Sequence, residues 1–303
     1  MSVKETAARI KALEIQGATS IAVQAVKALG KEIRNLEWSQ PEEVLELLND
    51  SITLLVESRA TEPMMRNGLK YIKSRLHTTH WNTPAVLRSL VQDTERDILM
   101  MFNEAKNIMI DVGARRIEDG DTILTHCHSS GVTSTLIRAH EQGKKFKVIQ
   151  TETRPKYQGR ITAYELIEAG IETTMIVDSA ARHIMKEIDF ALVGSDAITS
   201  EGNVINKIGT SQVALAAWEA RVPFYVVSTL LKFDPVTIHG AYEAIEEREV
   251  GEIWENPPAG LQILNPAFDV TRRDYIHGLI TEERIISPHS ILEAIHRHYP
   301  WML

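Results

Sequence analysis

The 303-residue sequence predicts an α/β protein: a helical N-terminal domain over residues 1–116, then a Rossmann-like domain over residues 117–303 built on a doubly wound, mostly parallel sheet. Three observations predict it. Up to about residue 116 apolar residues recur with helical period, and strand signals are few. After Asp119-Gly120-Asp121 the period changes, and short β-prone runs alternate with helical segments, the pattern of right-handed strand–helix–strand crossovers. Apolar residues make up 44% of the chain and charged residues 24%, enough to fill a large core. A stapled miniature scaffold and a disordered chain are both excluded.

The elements follow in order. A helix is predicted from Ser39, whose hydroxyl and Glu42 have capping-box spacing, through Leu45, Leu48, Ile52 and Leu55. Asn67-Gly68 is a turn signal by composition, although a helix tolerates one glycine. A long helix starts at Thr83-Pro84, a cap followed by proline in the first turn, and carries Leu87, Leu90, Val91, Ile98 and Phe102 on one face. Residues 122–125, 146–151, 173–177, 190–194 and 224–227 read as short buried strands, and residues 132–142, 161–169, 180–187 and 211–220 as the helices between them. Residues 251–268, with Pro257, Pro258 and Pro266, read as a long irregular surface connection.

Charge and composition narrow the function. Against 33 Lys and Arg stand 41 Asp and Glu, a formal charge of -8, which argues against a diffuse grip on nucleic acid or an anionic membrane. Small phosphate esters need only a few local cations and stay open. Cys127 is the only cysteine, so neither an intrachain disulfide nor a multi-cysteine zinc site can form. No run of about 18 apolar residues occurs, and the start MSVKETAARI has no apolar segment, so a soluble, cytoplasmic protein is expected. G-x-G-x-x-G, G-x-x-x-x-G-K-[ST] and H-E-x-x-H are absent, which removes the usual signatures of dinucleotide oxidoreductases, P-loop NTPases and zincins.

Three polar loops at strand ends carry the chemistry, since ligands of such sheets gather at the carboxyl ends of the strands. In residues 126–131, Ser129, Ser130 and Gly131 lie where free N–H groups of a helix start can hold an anion. The same field would lower the pKa of Cys127 toward thiolate, the alternative being a cysteine that merely packs. His126 and His128 flank it, but alternate residues of an extended segment face opposite ways, so no metal site is expected there. Asp196, in Gly194-Ser195-Asp196-Ala197, is either a general acid or base or a turn and cap aspartate. Asn206 and Lys207, before a helix, are either a hydroxyl and charge contact or a turn asparagine and a solvated lysine.

Together these segments resemble a known family. The runs Thr151-Glu152-Thr153-Arg154-Pro155-Lys156-Tyr157-Gln158-Gly159, Gly194-Ser195-Asp196 and Gly202-Asn203-Val204-Ile205-Asn206-Lys207-Ile208-Gly209-Thr210 are similar to those of a superfamily with two branches. One branch holds sugar-1-phosphate aldose–ketose isomerases, the other the α, β and δ regulatory subunits of the translation-initiation guanine nucleotide exchange factor. His126-Cys127-His128-Ser129-Ser130, Val177-Asp178-Ser179-Ala180-Ala181-Arg182-His183 and Asn265-Pro266-Ala267-Phe268-Asp269-Val270-Thr271 most resemble the archaeal ribose-1,5-bisphosphate isomerases. The resemblance covers nearly the whole chain.

It implies conversion of ribose 1,5-bisphosphate to ribulose 1,5-bisphosphate, a step of AMP and nucleoside monophosphate degradation, with Cys127 and Asp196 as the catalytic pair. It further implies substrate contacts from Gln16, Gly17, Ala18, Thr19, Arg59, Ser129, Ser130, Gly131, Asn206, Lys207 and Lys232. Relatives often carry arginine where this chain has Gln16, so one cation of the pattern is missing. In the implied chemistry Asp196 protonates the ring oxygen and Cys127 moves the carbon-2 proton, or a hydride shift replaces the second step. No cofactor is implied, and the implied assembly is a homo-oligomer of dimers, a hexamer. Two other activities share the pattern: methylthioribose-1-phosphate isomerase, against which Lys232 argues, and a noncatalytic regulatory subunit, against which Cys127 and Asp196 argue.

Overall fold

Proline at the first helical position opens three of the helices that begin the chain, because its fixed φ suits a helix start and its missing N–H is one that the first turn leaves unpaired anyway. The computed structural model describes residues 1–59, 61–241 and 245–303. Its first part comprises α1 (Val3–Lys11), α2 (Ala18–Asn35), α3 (Pro41–Ser58), α4 (Pro63–Thr78) and α5 (Pro84–Arg116). Thr83 caps α5 by accepting from the Val86 N–H, as its position before Pro84 predicts. The cap of α3 is not Ser39 with Glu42. Pro41 fixes the start one residue later, and Glu43 accepts from the backbone N–H of Gln40 at 3.0 Å and of Ser39 at 3.2 Å.

The second part alternates strands and helices: β1 (Thr122–Thr125), α6 (Ser130–Glu141), β2 (Lys147–Thr151), α7 (Gly159–Glu168), β3 (Glu172–Ile176), α8 (Ala181–Ile184), β4 (Phe190–Val193), β5 (Ala197–Ile198), β6 (Val204–Lys207), α9 (Thr210–Ala220), β7 (Phe224–Val227), β8 (Phe268–Thr271), β9 (Gly278–Ile280), β10 (Ile285–Ile286) and α10 (Ile291–His298). The main sheet has the order β10-β9-β7-β4-β1-β2-β3 and is parallel except for the antiparallel edge pair β9–β10. A helix read over residues 180–187 is instead the short α8 between two single 3₁₀ turns.

Strand alternation builds two cores from one sheet. Ile123, Phe190, Leu192, Tyr225 and Val227 face α6, α7 and the last turns of α5, while Leu124, Ala191, Val193, Phe224 and Val226 join the cluster that contains α8, α9 and α10. The crossovers change face between β3 and β4. The carboxyl ends of adjacent β1 and β4 are therefore left without a covering connection, which is where a doubly wound sheet takes its ligand.

Two features lay outside the sequence pattern. Asn206 and Lys207 do not sit in a loop. They end β6, the centre of a small antiparallel sheet of order β5-β6-β8. Asn67-Gly68 is no turn but lies inside α4, with Asn67 buried and its amide donating to the carbonyls of Leu231 at 3.0 Å and Phe233 at 2.8 Å. That amide ties the helical part to the 3₁₀ turn Leu230–Lys232.

Asn67→Ala leaves two buried carbonyls without donors and opens a small void. A loss of roughly 2–4 kcal/mol is expected, read from the urea midpoint. A change below about 0.5 kcal/mol would contradict the role given to this amide.

Candidate active site

The chain reverses direction just after β1. Cys127 adopts φ 68, the left-handed region that a side chain enters at a cost of about 1–3 kcal/mol. Its neighbours hold it there. The Cys127 N–H donates to Thr153 Oγ1 at 2.9 Å, and its carbonyl accepts from Gln150 Nε2 and Thr162 Oγ1, each at 3.1 Å. The thiol lines a cavity of about 450 Å³ between the carboxyl ends of the strands and the first helices.

Behind the cysteine the two histidines are engaged by threonines. Buried His126 has Nε2 at 2.8 Å from the Ile208 carbonyl, which fixes the proton on Nε2, and its Nδ1 accepts from Thr151 Oγ1 at 2.6 Å. Burial holds its pKa below the usual imidazole value, despite Asp178. Because Thr162 gives its hydroxyl proton to Cys127, His128 must donate from Nδ1 to Thr162 Oγ1, at 3.1 Å. Each ring thus buttresses the loop.

Asp196 follows β4 and lines the same cavity, its N–H donating to the Ile205 carbonyl at 2.8 Å. The close approach of β4 to the start of α6 requires a glycine: a Cβ on Gly194 would lie 2.4 Å from Ser129 Oγ. Ser195 donates to Ser228 at 2.5 Å, linking the ends of β4 and β7. Its carbonyl accepts from the Lys232 ammonium. Burial lowers the Lys232 pKa, and Asp196 and Glu62 oppose that shift.

Two helix N-termini reach the cavity without a side-chain cap. At α2 the cap is Gly17, with φ 81 and no Cβ to strain, followed by Ala18 and Thr19; at α6 it is Ser129, followed by Ser130 and Gly131. Free N–H groups and the helix dipole make both suited to anions. The N-terminus of α9 is unlike them. Asp269 caps it, accepting from Gly209 N at 2.8 Å and from Ser211 Oγ at 2.8 Å.

Cations complete the lining. Arg59, Lys207 and Lys232 reach the cavity, with the Lys207 ammonium 4.8 Å above the Phe268 ring. Asn206 is buried and held by Thr210, its amide donating at 2.9 Å. Gln16 lines the cavity too, but its amide donates to the Leu13 carbonyl at 2.7 Å and stays within its own loop. The catalytic and substrate-contact residues that the resemblance implies thus all line this one cavity, whereas His126 lies outside it. Lys106 joins them unforeseen. It follows Ala105 on α5 at the edge of the stripe formed by Phe102, Ala105 and Met109, where helical periodicity marks it only as a polar flank.

One sequence expectation is overturned. The helix field does not make Cys127 a thiolate. Burial pushes the thiol up to about 12, and the pull of Lys207 and of the His128 N–H in the other direction is smaller. At neutral pH the group is a thiol, a proton donor beside a carboxyl group in a cation-lined cavity.

Known proteins share this architecture. The ribose 1,5-bisphosphate isomerase of Methanocaldococcus jannaschii is 40% identical over 302 residues, covering 99% of this chain and 96% of the relative. The methylthioribose-1-phosphate isomerase of Desulforamulus reducens is 32% identical over 295 residues, covering 92% of this chain and 85% of the relative. Among solved structures, the translation initiation factor eIF-2B of Pyrococcus horikoshii OT3 superposes with a TM-score of 0.81 at 32% identity, over 94% of this chain and 97% of that one. The sequence model of the initiation factor 2 subunit family matches residues 14–288, and the chain belongs to that family.

Proposed function

We propose that this chain isomerises ribose 1,5-bisphosphate to ribulose 1,5-bisphosphate, with Cys127 and Asp196 as the catalytic pair. The observation that carries the reading is the cavity itself: a thiol and a carboxyl group share it with two uncapped helix N-termini and the cations Arg59, Lys106, Lys207 and Lys232. A sugar with a phosphate at each end uses such a lining in full. The full-length similarity to a ribose 1,5-bisphosphate isomerase supports the same substrate. Gly17, Ala18 and Thr19 present backbone N–H groups from one side, Ser129, Ser130 and Gly131 from the other, and Asn206 meets a hydroxyl.

Proton accounting assigns the roles. One proton reaches the ring oxygen as its bond to carbon 1 breaks, one leaves the hydroxyl on carbon 2, and one hydrogen passes from carbon 2 to carbon 1. Since burial keeps Cys127 protonated, the thiol is the donor to the ring oxygen, and Lys207 stabilises the thiolate that results. Asp196 takes the hydroxyl proton. These roles are the reverse of those the sequence suggested. A methylthioribose 1-phosphate has one phosphate and an apolar thioether, which leaves part of this cationic lining without a partner. The proposed setting is cytoplasmic, and among the described residues no helix is long and apolar enough to cross a membrane.

The proposed assembly is a homohexamer built from dimers. Val236, Trp254, Leu261 and Leu264 are exposed within one segment, apolar surface of the kind that copies of a chain cover. Light scattering at micromolar concentration should give about six chain masses, and a monomer would contradict it.

Cys127→Ser and Asp196→Asn should each lower kcat by about 10²–10⁴-fold with little change in KM. Near wild-type turnover in either variant would refute the pair. A thiol acting as acid gives no rise in kcat at saturating substrate between pH 7 and 9, whereas a base with its pKa near 12 gives about tenfold per pH unit.

Lys106→Met should raise KM for ribose 1,5-bisphosphate at least about tenfold and leave turnover of methylthioribose 1-phosphate, if measurable, within about twofold. Equal losses on both sugars would show that Lys106 does not distinguish the bisphosphate from the monophosphate.

A further inference from the structure

The carboxyl group of Glu62 lies buried against Arg59 of the cavity lining. Glu62 caps the start of α4 ahead of Pro63 and is fully buried, and among the described residues neither of its oxygens accepts a hydrogen bond. Its contact is with a guanidinium: Arg59 Nε lies 3.2 Å from Glu62 Oε1, and 3.7 Å from Glu246 Oε2. Arg59 is thus already paired with carboxylates on the wall of a cavity whose other lining invites anions. Where Glu62 is ionised, a phosphate arriving there meets its repulsion as well as the attraction of Arg59.

We propose that Glu62 is a proton-coupled positioning residue for phosphate capture: it holds Arg59 at the cavity wall, and in alkaline solution, where it is ionised, it takes up a proton when a sugar bisphosphate claims the guanidinium. The inference rests on the functional reading above, since it needs a phosphate at Arg59.

The surroundings make neutralisation the favoured response. From its own part of the chain Glu62 faces Arg59 and Arg66. From the loop after β4 it faces Asp196, and from the turn Leu230–Lys232 it faces Lys232. Glu246 shares Arg59, and Asp234 lies 3.2 Å from Arg66. Burial dominates, with Asp196 adding to it, and together they raise the Glu62 pKa to about 8 against the pull of the cations. Transfer of Arg59 to a phosphate weakens the main opposing cation and adds an anion, so the pKa of Glu62 rises further in the complex. A group whose pKa rises on binding takes up protons between its two values. Affinity is therefore greatest below about pH 8 and falls above it. The second ionisation of a phosphate ester lies near pH 6 and does not enter that window.

Ribitol 1,5-bisphosphate, which has no carbonyl or anomeric centre to isomerise, tests this by calorimetry from pH 7 to 9.5 in buffers of different ionisation enthalpy. Wild-type protein should take up close to one proton per ligand above pH 8, with Kd rising toward tenfold per pH unit. Glu62→Gln, permanently neutral, should remove that proton and bind about tenfold more tightly than wild type at pH 9. Glu62→Asp should keep the proton uptake. Unchanged pH dependence in Glu62→Gln would assign the effect to Lys232 and overturn the inference. Weaker binding by Glu62→Gln at every pH would overturn it too, making Glu62 a fixed anionic anchor. Failure of wild type to bind the bisphosphate at all would remove the functional reading, and this inference with it.

Discussion

The parting of the connections at the ends of β1 and β4 is the constraint on which the rest of this molecule depends. Chain leaving β1 turns onto one face of the sheet, and chain serving β4 comes from the other, so two adjacent strands end beside an uncovered crevice. Cys127 follows the first of these strands and Asp196 follows the second. Their proximity is thus a property of topology. Local chemistry then refines it: the left-handed backbone at Cys127 is held by Thr153, Gln150 and Thr162, and Gly194 lets the start of α6 come close.

A second constraint is electrostatic. A cavity able to bind two phosphates must bring several cations together in a partly dry space, and bare cations there repel one another. The protein meets this by pairing. The Lys232 ammonium donates to the Ser195 carbonyl, Arg59 is held by Glu62 and Glu246, and Lys207 lies over Phe268. The helical part contributes both sides of this balance, Arg59 and Lys106 as cations and Glu62 as the acidic partner of Arg59. Asn67 fastens that part to the turn carrying Lys232, so stability and site geometry share one hydrogen-bonded junction.

Much of the fold was legible because its signals are local. Alternating strand and helix patterns gave the doubly wound sheet, and Thr83-Pro84 gave the start of α5. The small sheet was not legible: β5 is two residues long, and β8 joins β6 from about sixty residues away, so no short window contains the pairing. The cap of α3 shifted by one residue because Pro41 overrides the spacing of Ser39 and Glu42. In the site, the residues at strand ends could be named from their position, but Lys106 and Glu62 could not. One sits on a helix flank that periodicity treats as solvent, and the other lies before a proline like any exposed cap. The protonation of Cys127 was misread for the same reason, since burial is a tertiary quantity and outweighs the helix field.

The reaction assigned to this cavity moves no phosphate and turns an aldose ester into a ketose ester. Phosphorus NMR of purified protein incubated with ribose 1,5-bisphosphate reads it directly, because the phosphate on the anomeric carbon becomes a primary ester in the ketose. Loss of the anomeric resonance and growth of two primary phosphate ester signals, with no inorganic phosphate released, is the result predicted. An anomeric resonance that persists, or one that gives way to inorganic phosphate, would contradict the account.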